Sequence, residues 1–324
     1  MPRVSVLMTV FNGERYVREA VESILNQTFG DMEVIIVDDG STDETGRILD
    51  AISDSRIRRF RNATNQGLTR TLNIGLDQCR GAYIARQDAD DVSLPTRLER
   101  QVVFLEQNPR VVLLSSNCGW LENDRPVPGR QSDRPMTDAA IRWVMLLGNA
   151  FSHSALTMRR ETLVEHDLRF DETMICAQDY DLWSRLIKYG LVASLQESLV
   201  LRRHHADAIT FVKYAEQQAC ADRIVLANVC AAGLPEATLE DVHLMRQPAG
   251  NVYGRDRWRR IELLARLYQV AFSSSGGRTS CEPRELKNLR RAFKKDLLKA
   301  ALWPPKHKEA FTAWREVAKM HIFQ

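Results

Sequence analysis

Short strand-like runs alternating with helical patterns constrain this chain more than any other feature. Val4–Val10, Val34–Val37, Ile57–Phe60 and Tyr83–Arg86 are too short for helices, and the first two are rich in β-branched residues. Between them, Val17, Ala20, Val21, Ile24 and Leu25 recur on one helical face, Ile48, Leu49 and Ile52 mark a second helix, and Leu68, Leu72, Leu76 and Cys79 a third. Ser41 and Glu44 have capping-box spacing before the second. This alternation predicts an α/β fold, a mainly parallel Rossmann-like sheet with flanking helices. Ligands of such sheets gather beyond the carboxyl ends of the strands, where helix N-termini and loop amides converge. Three polar clusters fall there: Thr9–Asn12, Asp38–Ser41 and Asp88–Asp91.

Asp88-Ala89-Asp90-Asp91 is the densest of the three. Carboxylates this close raise one another's pKa unless a cation or a donor compensates. An all-oxygen set favours Mg²⁺ or Mn²⁺ over zinc, and such an ion suits the holding of a diphosphate.

Downstream, a helix is expected from about 94 to 107 with Pro95 in its first turn, then a strand over 111–115. The proline-containing stretch 119–135 predicts a surface loop. A helix follows near 138–147, then the Phe151-Ser152-His153-Ser154 segment and a strand over 155–158. Asp179-Tyr180-Asp181 opens a helix that Gly190 ends, and Leu199–Arg202 predicts a strand leading to His204 and His205. From about Phe211 the pattern is helical. This divides the chain into a catalytic region, 1–210, with halves meeting near 118, and a helical region, 211–324, with a Ser/Gly linker near 273–280.

Residues 284–324 hold eleven Lys/Arg against four Asp/Glu, whereas the whole chain carries only +3. Basic helices of this kind fit an anionic membrane surface; a solvated helix face is the alternative. The basic residues lack a recognition fold or interleaved aromatics, so no nucleic-acid partner is expected. Six scattered cysteines form no C-x-x-C pair, as in reduced cytosolic proteins. No run approaches the roughly 20 apolar residues of a membrane span. The expected location is the cytoplasm, free or at the inner face of the membrane.

The ordered motifs Val4–Asn12, Val37–Asp43, Asn65–Leu68, Tyr83–Asp91, Leu94–Leu98 and Gln178–Trp183 together resemble a family-2 glycosyltransferase of the GT-A fold. The resemblance spans the first 210 residues or so. It implies an inverting enzyme that moves a sugar from a nucleotide-sugar donor, with UDP the natural base partner, to a glycan or lipid-linked acceptor. By that likeness Thr9 and Phe11 line the nucleoside pocket, Asp39 accepts from the base, and Asn65 lies in a nearby loop. Asp88 approaches the ribose or the metal, Asp90 ligates the metal, and Asp91 is a second ligand or a helix cap. Asp179 is the general base, preceded by Gln178 where the family has Glu, and His153 lies near the donor sugar or acceptor. His204, in an Arg-x-His element with Arg202, reaches the metal or diphosphate, with His205 as the alternative. Arg86 and Arg97 pair with the acidic cluster or the phosphates.

Two rivals stay open. A nucleotidyltransferase shares the layout, but Val10–Arg15 is not the Gly-rich basic loop a triphosphate needs. An inactive scaffold has only Gln178 in its favour. P-loop, dinucleotide-binding and nucleophile-elbow motifs are missing.

Overall fold

Seven consecutive buried residues form strand β1 (Val4–Val10), and a run buried on both faces is the mark of a central parallel strand. Its neighbours are β2 (Met32–Asp38) on one side and β4 (Tyr83–Asp88) on the other, both parallel to it, with β3 (Ile57–Arg61) parallel to β2. In this computed structural model the described residues are 1–132, 135–205, 214–247, 252 and 254–273. They form two compact units: Met1–Met136 with Ala150–Gln217, and Thr137–Asn149 with the chain from Gln218 onward.

The first unit holds one nine-stranded sheet in the order β3-β2-β1-β4, then β8 (Thr157–Arg159), β6 (Val111–Glu122), β9 (Leu191–His204) and β5 (Val92–Ser93), with β7 (Arg125–Gln131) paired to β6. Helices α1 (Val17–Leu25), α2 (Thr45–Asp50) and α3 (Leu68–Gln78) make the crossovers of the parallel half. Val17, Ala20, Val21 and Ile24, the predicted face of α1, pack into the core with β1 and β2. α3 lies hard against the sheet because residue 75 is glycine: a Cβ there would meet Leu7 Cδ1 at 2.2 Å and Val37 Cγ2 at 3.2 Å. The other half is mixed. β8 (Thr157–Arg159) runs antiparallel to β4 and β6 (Val111–Glu122), while β9 (Leu191–His204) runs parallel to β6. The predicted α/β architecture is therefore present, with its parallel part confined to β1–β4 and the β6–β9 pair.

Three local expectations are corrected. Stretch 119–135 is mostly not a loop: β6 continues to Glu122 and returns as β7 (Arg125–Gln131). The link is Asn123-Asp124, both at positive φ (48° and 59°), the hairpin geometry that Asn and Asp tolerate. Pro126 and Pro128 are accommodated because, among the described residues, β7 pairs with β6 alone. Helix α4 (Arg97–Gln107) starts after Pro95, since Val92-Ser93 is drawn into the sheet as β5 against Leu201 and Val200. Ser41 and Glu44 form no capping box; α2 begins at Thr45, and the Ser41 hydroxyl accepts instead from Asn12 N (2.9 Å).

In the second unit, α5 (Asp138–Met145) is capped by the Thr137 hydroxyl, and α6 (Arg160–Glu165) and α7 (Gln178–Leu186) belong to the first. α8 (Tyr214–Ala232), α9 (Leu239–Arg246) and α10 (Gly254–Ser273) follow. Thr238 and Asp241 make a true capping box on α9. Asn228 Nδ2 donates to Met145 O (3.1 Å), and the Trp143 and Tyr268 rings meet edge to face. The linker near 273–280 and the basic helices expected over 284–324 lie outside the described residues, apart from Ser273 itself. No described helix is long and apolar enough to cross a membrane.

Candidate active site

The carboxyl ends of β1, β2 and β4 bring the three polar clusters together, and each is built differently. At the end of β2 the Asp39 carboxylate is buried and serves a loop. Its Oδ1 accepts from Asn62 Nδ2 (2.7 Å) and Gln66 N (2.8 Å), and its Oδ2 from Gly67 N (3.0 Å). Gly40, at φ +73°, lets the turn approach that loop: a Cβ would meet Thr64 C at 2.7 Å. Asn65 itself is exposed and accepts from Gly67 N (2.9 Å). With three bonds made, a carboxylate still has an acceptor position for a ligand. The β1 loop is tied to the same edge, since Asn12 Oδ1 accepts from Thr42 N (2.9 Å). Thr9 is buried beside Asp88 and Val37 in the sheet register, while Phe11 is half exposed.

At the end of β4 the acidic turn is held by a fully buried arginine. Arg86 donates to Leu7 O, to Gln87 O and to Asp88 Oδ1 (2.6 Å), and its Nε donates to His153 Nε2 (3.0 Å). Burial weakens the hold of Arg86 on its proton, and the charges of Asp88, Asp179 and Asp91 oppose that. Burial would raise the Asp88 pKa, yet His153, Arg86 and the Ser154 hydroxyl outweigh it and hold Asp88 well below the usual carboxylate range. Arg97 is also fully buried, but it bonds to Gln87, Ser93 and the Arg86 and Leu156 carbonyls, which makes it part of the frame.

Ser154 explains how two carboxyls share this space. Its Oγ accepts from Asp88 N (3.1 Å) and lies 2.9 Å from Asp88 Oδ2 and 2.5 Å from Asp91 Oδ2. One hydroxyl proton serves only one of the two, so the other contact needs a proton of its own. That proton belongs on Asp91, which burial and the charges of Asp90 and Asp88 push up to about 7. The remaining Asp91 oxygen accepts from Arg203 N (2.9 Å). Asp91 thus uses both oxygens inside the protein, and it does not cap α4, whose N-cap is Thr96.

The imidazole at hydrogen-bond distance from Asp90 is that of His205, Nε2 to Oδ2 3.0 Å, with the Tyr16 ring beside it. His204 is exposed at the end of β9. Arg203 and His205, the alternative frame of the Arg-x-His element, are thus the pair bonded to Asp90. Arg202 lies over Trp120, whereas Arg203 is buried, a role that no local sequence signal marks. It donates to Asp90 O (2.9 Å), pairs with Glu19 and Asp124, and covers the Tyr16 ring. Among the described residues no three of His, Cys, Asp and Glu are grouped to hold a metal ion. Asp90, partly exposed, and His205, bonded to it, could hold Mg²⁺ or Mn²⁺ only if substrate phosphate oxygens and water supplied the remaining ligands.

Asp179 lies half-buried in the first turn of α7, where the helix dipole favours a carboxylate, and Gln178 beside it is buried. Its charge, like those of Asp88 and Asp91, opposes the effect of burial on Arg86.

Residues 5–165 match the model of "Glycosyl transferase family 2". The chain is 34% identical over 238 residues to a glycosyltransferase of Haemophilus influenzae, covering 70% of this chain and 73% of that protein. The chain belongs to glycosyltransferase family 2. Another relative is the amylovoran biosynthesis glycosyltransferase AmsE of Erwinia amylovora, 29% identical over 63% of this chain and 77% of its own length. Among solved structures, S. aureus TarS 1–349 in complex with UDP superposes with a TM-score of 0.57 at 19% identity, over 92% of this chain and 89% of that one. The mannosyltransferase PcManGT of Pyrobaculum calidifontis, in complex with GDP-Man and Mn²⁺, gives 0.52 at 16% identity over 99% and 85%. Both likenesses agree with the GT-A fold. As a member of this family the chain is a glycosyltransferase, and its relatives include a protein of amylovoran biosynthesis.

Proposed function

We propose that this enzyme transfers a sugar, with inversion, from a UDP-sugar to a hydroxyl of a glycan or lipid-linked acceptor in cell-surface polysaccharide synthesis. The observation that carries the reading is the buried Arg86, which Asp88 bonds directly and whose charge Asp179 and Asp91 also offset. In this reading Asp39, with one acceptor position in hand, receives the N3–H of uracil, and Thr9 and Phe11 line the nucleoside. Asp88, kept ionised by Arg86 and His153, accepts from the ribose. Asp179 takes the proton from the acceptor hydroxyl. The hydroxyl oxygen then bonds to the anomeric carbon as the bond to the diphosphate oxygen breaks, and that oxygen keeps the electron pair. Gln178 orients the acceptor without adding a charge beside the base. Mg²⁺ or Mn²⁺ held by Asp90 and His205 would neutralise the diphosphate.

Purified protein given Mn²⁺ and UDP-sugars should release UDP. Asp179→Asn should lower transfer by about 10²- to 10⁴-fold with UDP affinity unchanged; transfer at the wild-type rate would exclude Asp179 as base. The basic segment 284–324 brings the enzyme to an anionic membrane surface that carries the acceptor. Truncation after Ser273 should weaken sedimentation with anionic vesicles, and equal sedimentation of both forms would refute this.

A further inference from the structure

We infer that α3 is the arm that positions the general base, and that Asn73 is its positioning residue; the inference rests on Asp179 being that base. The arm is fixed at two places. Asp39 holds its first turn through Gly67 N, and Gly75 seats it directly on Leu7 and Val37. Thr69, Asn73 and Asp77, spaced four apart, then line one stripe of the helix. All three grip the segment that leads into α7, about a hundred residues further along the chain.

Asn73 makes the central contact. Its Nδ2 donates to Phe170 O (2.9 Å) and its Oδ1 accepts from Phe170 N (3.0 Å), so one side chain pairs with both backbone groups of one residue, as a strand would. The same Nδ2 reaches Glu172 Oε1 (3.1 Å). Thr69 Oγ1 donates to Met174 O (2.8 Å), and Arg169 pairs with Asp77 (2.6 Å) at the outer end. Asn73 and Thr69 are buried, so these are bonds whose loss leaves backbone groups unpaired. Directly after the gripped segment, Ala177 adopts the left-handed conformation at φ +56°, uncommon for a residue other than glycine. Such a conformation persists where its surroundings over-determine it. It turns the chain into Gln178 and Asp179. The Phe170 ring also lies edge-on to His153, the partner of Asp88, at 6.4 Å. One helix therefore links the carboxylate at the nucleotide edge to the segment that delivers the base.

The test measures transfer turnover of the full chain, counted per UDP-binding site so that misfolded protein is left out, together with UDP Kd. Asn73→Ala should lower kcat about 10- to 100-fold, the usual cost of a base displaced by about an ångström, with UDP Kd within about twofold. Thr69→Val, a milder change on the same stripe, should lower kcat about 3- to 10-fold, and it carries the test if Asn73→Ala does not fold. Asp179→Asn is the control. If it abolishes transfer while the stripe variants keep wild-type kcat per site, the positioning role is wrong. A fall in UDP affinity that accounts for the whole loss also overturns it, because the arm would then be structural only. Wild-type transfer by Asp179→Asn would instead remove the premise.

Discussion

The two halves of the site are held in opposite ways. On the nucleotide side, Asp39 is satisfied by one neighbouring loop, Asn62–Gly67, through two backbone amides and one side-chain amide. On the acidic side, Asp88–Asp91 depends on residues 63 to 115 positions away: Ser154, His153, Arg203 and His205. The first arrangement forms once β2 and β3 pair. The second exists only when β4, β8 and β9 are all in register. A locally built half should tolerate damage elsewhere, and a half assembled from distant strands should not.

The largest effect that sharpens this contrast is on turnover. Asp90→Ala should lower transfer about 10²- to 10³-fold, with the fold retained, because Asp90 is partly exposed and its side chain bonds only His205 among the described contacts. An active Asp90→Ala would place the diphosphate elsewhere. Arg203→Met should act on both structure and chemistry. It removes the buried guanidinium that joins Glu19, Asp124 and Asp90 O, so Tm should fall by about 5 °C and turnover by about 10-fold. Arg203→Lys cannot bridge three partners and should not restore either.

The smallest effect is one of pH. The folded pKa of Asp91, pushed up to about 7, exceeds its unfolded value near 3.9, so the folded state binds the proton more tightly. Its contribution to stability is complete below about pH 4 and is lost as pH rises through about 7. Asp91→Asn keeps the neutral hydrogen-bonding pattern toward Ser154 and Arg203. In chelator, its Tm relative to wild type should therefore rise by a few degrees between pH 4 and 7. A constant difference would mean that Asp91 is ionised throughout.

The same contrast decides what the sequence revealed. Strands β1–β4, the face of α1, the place of Thr9, Asp39 and Asp88 at the carboxyl ends of strands and that of Asp179 in the first turn of α7 follow from local pattern and ordered motifs. Ser154 as the proton-sharing partner of two carboxyls, and Arg203 as the link to Asp90, do not. Their role is set by pairing between strands far apart in the chain, and nothing beside them in sequence signals it. The Arg-x-His element shows the limit most clearly, because Arg202-Arg203-His204-His205 fits the pattern in two frames. The bonds of Arg203 and His205 to Asp90 favour the second frame. Likewise Asn123-Asp124 carries a hairpin signal, but the prolines around it read as loop until β7 is seen to be an edge.

The central claim is that Asp39 serves the nucleoside and Asp90 the diphosphate. Calorimetric titration of uridine and of UDP, each with and without Mn²⁺, tests it on wild type, Asp39→Ala and Asp90→Ala. Asp39→Ala should weaken both ligands by a similar factor. Asp90→Ala should leave uridine unchanged and abolish the gain in UDP affinity that Mn²⁺ confers on wild type. Loss of uridine binding in Asp90→Ala, or a full Mn²⁺-dependent gain retained in it, would contradict the assignment.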